Sequence, residues 1–174
     1  MKLSKNAKRK SKLNPNDERF YCIRGGIYAD KGKFTKAIFD YTKALKINPN
    51  FAKAYCKRGF VYDEKENFTR AISDFNRAIE INPNYAEAYT NRGNAYYEQG
   101  NYAQAILDHN KAIKINPKYA WAYASRSAAY YKKKKYVKSW ADMRKAEKLG
   151  FIIGSVFFEA VKKRIRKDNS NGRS

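Results

Sequence analysis

Residues 86–119 read AEAYTNRGNAYYEQGNYAQAILDHNKAIKINPKY. Displaced by 34 residues the same pattern lies at 52–85, and displaced again at 18–51. The four prolines, Pro15, Pro49, Pro83 and Pro117, keep that spacing. A period of this length marks a stacked array, because one helix pair cannot bury its own apolar face and must share a core with its neighbours. A weaker fourth copy occupies 120–153.

With Glu18, Ala52, Ala86 and Ala120 as position 1, the recurring residues sort onto two helices per copy. Position 4 is Tyr21, Tyr55, Tyr89 and Tyr123; position 8 is Gly25, Gly59, Gly93 and Ser127; position 11 is Tyr28, Tyr62, Tyr96 and Tyr130. Spacings of four and three put them on one face of a first helix. Position 20 (Ala37, Ala71, Ala105, Ser139), position 24 (Tyr41, Phe75, His109, Met143), position 27 (Ala44, Ala78, Ala112, Ala146) and position 30 (Ile47, Ile81, Ile115, Leu149) form the inward stripe of a second. Asn-Pro then ends that helix, since proline disfavours helical geometry in the residue before it.

This pattern of aromatic, Gly, Tyr, then Ala-x3-aromatic and Pro resembles the tetratricopeptide repeat, over residues 18–151. The resemblance implies an all-α, right-handed α-solenoid of helix-turn-helix repeats with a C-terminal capping helix. The expected layout is a basic flexible arm and partial repeat end at 1–17, repeats at 18–51, 52–85 and 86–119, a degenerate repeat at 120–153, a capping helix at 154–167 and a disordered tail at 168–174. Position 7 departs from the family's usual Leu: it is Arg24, Arg58, Arg92 and Arg126. Position 23 is Asp40, Asp74, Asp108 and Asp142. Both positions face the seam between helices, where a lone charge is expensive. Each Arg is therefore expected to pair with an Asp, within its copy or next door.

Residues that vary between copies at surface positions are candidates for function. The resemblance implies a concave groove lined by first-helix positions 2, 5, 6, 9, 12 and 13. The residues singled out there are Lys53, Lys57, Phe60, Asn91, Asn94, Tyr97, Trp121 and Tyr131. Aromatic anchors with amides that bond a backbone suit an extended or helical peptide. Some relatives hold acidic chaperone tails in a clamp of Lys, Asn, Asn, Lys and Arg; in neither register does this chain match it, with Cys22, Gly26, Lys57, Glu87 and Asn91 in one and Cys56, Phe60, Asn91, Trp121 and Ser125 in the other.

The chain carries 38 Lys and Arg against 16 Asp and Glu, a formal charge of +22. Residues 132–174 hold fourteen of the bases and four of the acids. Second-helix positions 19, 26 and 29 add a basic face that includes Lys43, Arg77 and Lys111, and Lys132, Lys133, Lys134 and Lys135 form a run beside tyrosines. Such a surface is either a solvated lysine face or an electrostatic footprint for RNA or another polyanion, whose binding weakens steeply with salt.

Other functions find less support. His109 stands alone at a core position, with no glycine-rich phosphate loop and no metal-ligand spacing, so no enzyme, cofactor or metal is expected. Cys22 and Cys56 hold one repeat position on successive helices, whose axes lie roughly 8–10 Å apart. A disulfide needs Cα atoms within about 7 Å, so free thiols and a reducing, cytoplasmic setting are expected. The expected function is a protein-interaction scaffold that takes a peptide or partner domain in its groove. The alternative is a protein that associates with nucleic acid or an anionic surface through its basic ridge and tails.

Overall fold

A computed structural model describes residues 17–171. The basic arm and the Asn14-Pro15-Asn16 turn lie outside the described residues, as do 172–174. The described chain is all-α, and it divides into two compact units that meet in sequence between Pro83 and Asn84.

The first unit contains α1 (Glu18–Asp30), α2 (Phe34–Ile47), α3 (Ala52–Glu64) and α4 (Phe68–Ile81). Helices α1 and α2 pair, α3 and α4 pair, and α2 stacks on α3. The second unit contains α5 (Ala86–Glu98), α6 (Tyr102–Ile115), α7 (Ala120–Lys132), α8 (Tyr136–Lys148) and α9 (Ser155–Asn171). Here α5 pairs with α6 and α7 with α8, α6 stacks on α7, and α9 packs on α8. Helix α9 continues to Asn171, beyond Lys167 where the sequence reading ended it. Residues 168–171 are thus helical rather than part of a tail.

Each copy closes around one contact. A Cβ on Gly25, Gly59 or Gly93 would stand 2.9, 2.8 or 2.7 Å from the ring of Tyr41, Phe75 or His109. Glycine at position 8 therefore lets the position-24 ring lie flat on the first helix. Copy four replaces both members, with Ser127 and the flexible Met143, both fully buried.

The recurrent charges form within-copy ion pairs. Nε and Nη2 of each arginine donate to both carboxylate oxygens of the aspartate sixteen residues on. The distances are 2.6 and 2.7 Å for Arg24–Asp40, 2.8 and 2.8 Å for Arg58–Asp74, 2.8 and 2.7 Å for Arg92–Asp108, and 2.7 and 2.6 Å for Arg126–Asp142. The position-4 tyrosine covers each guanidinium, with ring centroids 5.3–5.6 Å away. Nη1 reaches the preceding copy: Arg58 donates to Thr42 at 3.0 Å and Arg126 to Asn110 at 2.6 Å. One side chain thus ties its own two helices together and holds the stack.

The stacked faces are small. Ala54, Ala88 and Ala122 at position 3, and Val61, Ala95 and Ala129 at position 10, are fully buried. Position 30 is less buried than its apolar identity suggests; Ile47 is 42% exposed.

Helix ends follow local chemistry. Asn67 and Asn101 cap α4 and α6 by accepting from the backbone N–H of Arg70 and Gln104. Before the prolines, Asn48 and Asn116 accept from the N–H two residues on, which fixes the turn between copies. First helices end on a left-handed residue: Gly32 (φ +66°), Glu66 (+57°), Gly100 (+77°) and Lys134 (+58°). The next N–H reaches back to the last turn, as from Lys33 to Tyr28 O at 2.8 Å.

Candidate peptide-binding surface

Among the expected groove residues of the first unit, Lys53, Lys57 and Phe60 follow one another along one face of α3. Lys53 is exposed, whereas Lys57 and Phe60 are half-buried. Burial pushes the Cys22 thiol up, against the pull of Lys53 and Lys57. Cys22 and Cys56 are both buried, and no disulfide joins them.

In the second unit α5 and α7 lie side by side and present Asn94, Tyr97, Trp121 and Tyr131. Asn94 and Tyr97 are half-buried, and the Tyr97 ring leans on Tyr102 with centroids 5.2 Å apart. Burial raises the Tyr97 hydroxyl pKa, so the group is a neutral hydrogen-bonding phenol at physiological pH. Trp121 is 37% exposed and meets Tyr119 edge-on at 6.4 Å.

Two expected groove residues sit differently. Asn91 is 4% exposed: its first-helix position turns the amide into the protein, so it does not line an open surface. Tyr131 is packed against Tyr136 and against Phe157 of α9, each at 5.4 Å between ring centroids. The terminal helix already contacts part of the copy-four surface.

How α9 arrives there is readable in the backbone. Copies one to three leave their second helix through an extended Asn, at Asn48, Asn82 and Asn116. Helix α8 instead ends at Lys148 with Leu149 as its cap, Gly150 at φ +88°, Gly150 N–H on Glu147 O at 2.8 Å and Phe151 N–H on Ala146 O at 3.0 Å. That glycine-dependent stop turns residues 151–154 across α7. Trp121, Ala124, Ser125 and Ala128 of α7 then face Phe151, Ile153 and Phe157 around an open cavity of about 310 Å³.

The expected basic surface is exposed at Lys43, Arg77, Lys111 and Lys132–Lys135. Part of it is engaged within the chain. Lys43 lies over the Phe39 ring at 5.6 Å, and Arg77 donates to Glu80 at 3.0 Å. Lys36, Arg70 and Lys138 cover Tyr28, Tyr62 and Tyr130 at 5.6–5.9 Å.

His109 is fully buried, and desolvation, reinforced by Arg126, lowers its pKa to about 3. It is a neutral packing group, out of reach of any substrate. Among the described residues no cluster of three or more His, Cys, Asp or Glu could hold a metal ion, and no helix is long and apolar enough to cross a membrane.

Two family models match the chain. One, described as tetratricopeptide repeat, matches residues 86–119; the other, described as TPR repeat, matches 25–65 and 63–100. No curated protein sequence matches significantly. Among solved structures, one of MamA is 30% identical, with 82% of this chain and 83% of that chain covered and a TM-score of 0.71. The TPR domain of Arabidopsis OM64 is 25% identical over 66% of this chain and 94% of its own, at 0.64. The first TPR of Spaghetti (RPAP3), solved with the HSP90 peptide SRMEEVD, is 24% identical over 68% of this chain and 94% of its own, at 0.65. That last likeness is one of fold.

Proposed function

We propose, because the chain belongs to the tetratricopeptide-repeat family, that it is a non-catalytic scaffold that binds a peptide or partner domain along its first helices. One contrast supports this. The residues that recur from copy to copy are spent on the fold, as in the Arg–Asp pairs and the Gly–ring contacts. The residues that vary leave Phe60, Asn94, Tyr97 and Trp121 at least partly exposed on first-helix faces. Aromatic groups with amides among them give anchors and backbone hydrogen bonds to an incoming segment. Two buried cysteines outside any disulfide fit a reducing, cytoplasmic setting.

The test is affinity capture from the source cells after nuclease treatment, with bound proteins identified by mass spectrometry. A discrete protein should be retained by the native chain at moderate salt and lost from the Phe60→Ala and Tyr97→Ala variants. Retention by both variants would overturn the assignment.

A second reading is supported by the four consecutive exposed lysines at 132–135: association with RNA or another polyanion. Binding of a fluorescent single-stranded RNA should then fall steeply between 50 and 200 mM salt, as expected when several phosphates are neutralised. It should also fall in a variant with these lysines changed to Ser. Absence of RNA binding at 50 mM salt would remove this reading.

A further inference from the structure

The cavity between α7 and the 151–157 segment has features that packing does not require. Its wall is mostly apolar, with Trp121, Ala124, Ala128, Phe151, Ile153 and Phe157, and carries Ser125 among them. The Ser127 hydroxyl at its base already donates to Ala124 O at 2.8 Å, so it asks nothing of a ligand. At the cavity's edge stands Ile152, 93% exposed, and one residue before Phe157 on α9 stands Val156, 83% exposed. Neither supports the core, and Ile152 with Trp121 forms an exposed apolar rim to the cavity. Patches of this kind mark contact sites. At about 310 Å³ the cavity lies at the lower end of the roughly 300–1,000 Å³ of ligand pockets, a size for one large side chain.

Charge defines the rest of the occupant. One turn beyond Ala128 begins the exposed run Lys132–Lys135. On α9, Lys163 and Arg166 line the outward face beside Val156, Ala160 and the single acid Glu159. Fourteen bases against four acids in residues 132–174 favour a segment rich in carboxylates. The same excess of charge repels a second copy of the chain. We propose that this cavity anchors one bulky apolar side chain of an acidic peptide segment from a partner protein. The proposal rests on the scaffold reading and assigns it an anchor and a ligand chemistry.

The test uses the full chain and two fluorescein-labelled nonapeptides. In one a central Phe is flanked on each side by four alternating Asp and Glu; in the other the centre is Ala. The Phe peptide should bind at least tenfold more tightly by fluorescence anisotropy. Ala128→Phe, which fills the cavity, should remove that difference, as should Ile152→Asp, whose exposed position has no part in folding. Lys132→Glu with Lys163→Glu should weaken both peptides. Circular dichroism checks that each variant is folded.

Equal binding of the two peptides, or a preference for Phe that survives both Ala128→Phe and Ile152→Asp, would overturn the proposal. So would sedimentation as a dimer that Ile152→Asp dissociates, which would assign the cavity to a second copy. Loss of the cavity result with retained dependence of partner capture on Phe60 and Tyr97 would leave the scaffold function standing without this anchor.

Discussion

Replacing His109 with Phe should stabilise the protein, and more so in acid. The imidazole is fully buried, and neither ring nitrogen finds a hydrogen-bond partner among the described residues. A buried polar group left unpaired costs about 1–3 kcal/mol. The chain itself shows that phenylalanine fits this position: Phe75 lies over Gly59 as His109 lies over Gly93, with similar closest approaches of 2.8 and 2.7 Å. A gain of about 1–3 kcal/mol is therefore expected at pH 7.5.

The pH dependence adds to it. In the unfolded chain His109 takes a proton near pH 6.5, whereas in the folded protein burial holds its pKa at about 3. The unfolded state thus binds the extra proton between those values. Stability is undiminished above pH 6.5 and falls as pH drops toward 3, by about 1.4 kcal/mol per pH unit. At pH 5 the loss is about 2 kcal/mol, an amount insensitive to the folded-state value because pH 5 lies well above it. Thermal or urea unfolding of both proteins at pH 7.5 and 5.0 measures this. Taking the difference between them cancels every other titrating group. The gap between the variants should widen by about 2 kcal/mol at pH 5, or ~4–8 °C in midpoint. A gap that does not change with pH, or a less stable Phe variant at pH 7.5, would refute the account.

Gly59→Ala should destabilise by about 1–3 kcal/mol despite a helix-propensity gain of about 1, because the new methyl meets the Phe75 ring at 2.8 Å and Ala71 O at 3.1 Å. Pairing Gly59→Ser with Phe75→Met, which imitates copy four, should recover part of that loss in the same melt. Arg58→Ala should cost about 3 kcal/mol, since it leaves Asp74 buried without its partner, and a double-mutant cycle with Asp74→Ala should show coupling above about 1 kcal/mol. Arg24→Ala should cost less, because its side chain is 40% exposed against 18% for Arg58. Lys134→Gly should be neutral or stabilising by up to about 1 kcal/mol in urea titration, since it relieves a left-handed residue, and Gly100→Ala should do the opposite.

The internal period made most of the fold legible before any coordinates. Three copies in one register act as their own comparison, so the Arg–Asp pairs follow from recurrence and burial cost alone. The small residues at positions 3 and 10 carry the same signal, in Ala54, Ala88 and Ala122 and in Val61, Ala95 and Ala129, more faintly than the aromatic positions do. The left-handed turns at Glu66 and Lys134 were signalled by Gly32 and Gly100 at the same position. The candidate surface was less legible. Sequence places Asn91 and Tyr131 on a first helix, but what covers them is a matter of tertiary packing. For Tyr131 the cover is Phe157, delivered by a turn at Gly150 that occurs once and so has no second copy to compare.

The glycine at position 8 and the ring that covers it lie on different helices of one copy, so the hairpin is the smallest piece this chain can exchange. Recombination at the Asn-Pro boundaries would carry both partners and leave each contact intact. A crossover within the turn at Gly100 or Lys134 would separate them. It could seat the position-24 ring of one copy on Ser127, or leave Met143 over the hollow of Gly93. Lengthening and shortening should therefore proceed in steps of 34 residues, with breakpoints between copies and not inside them.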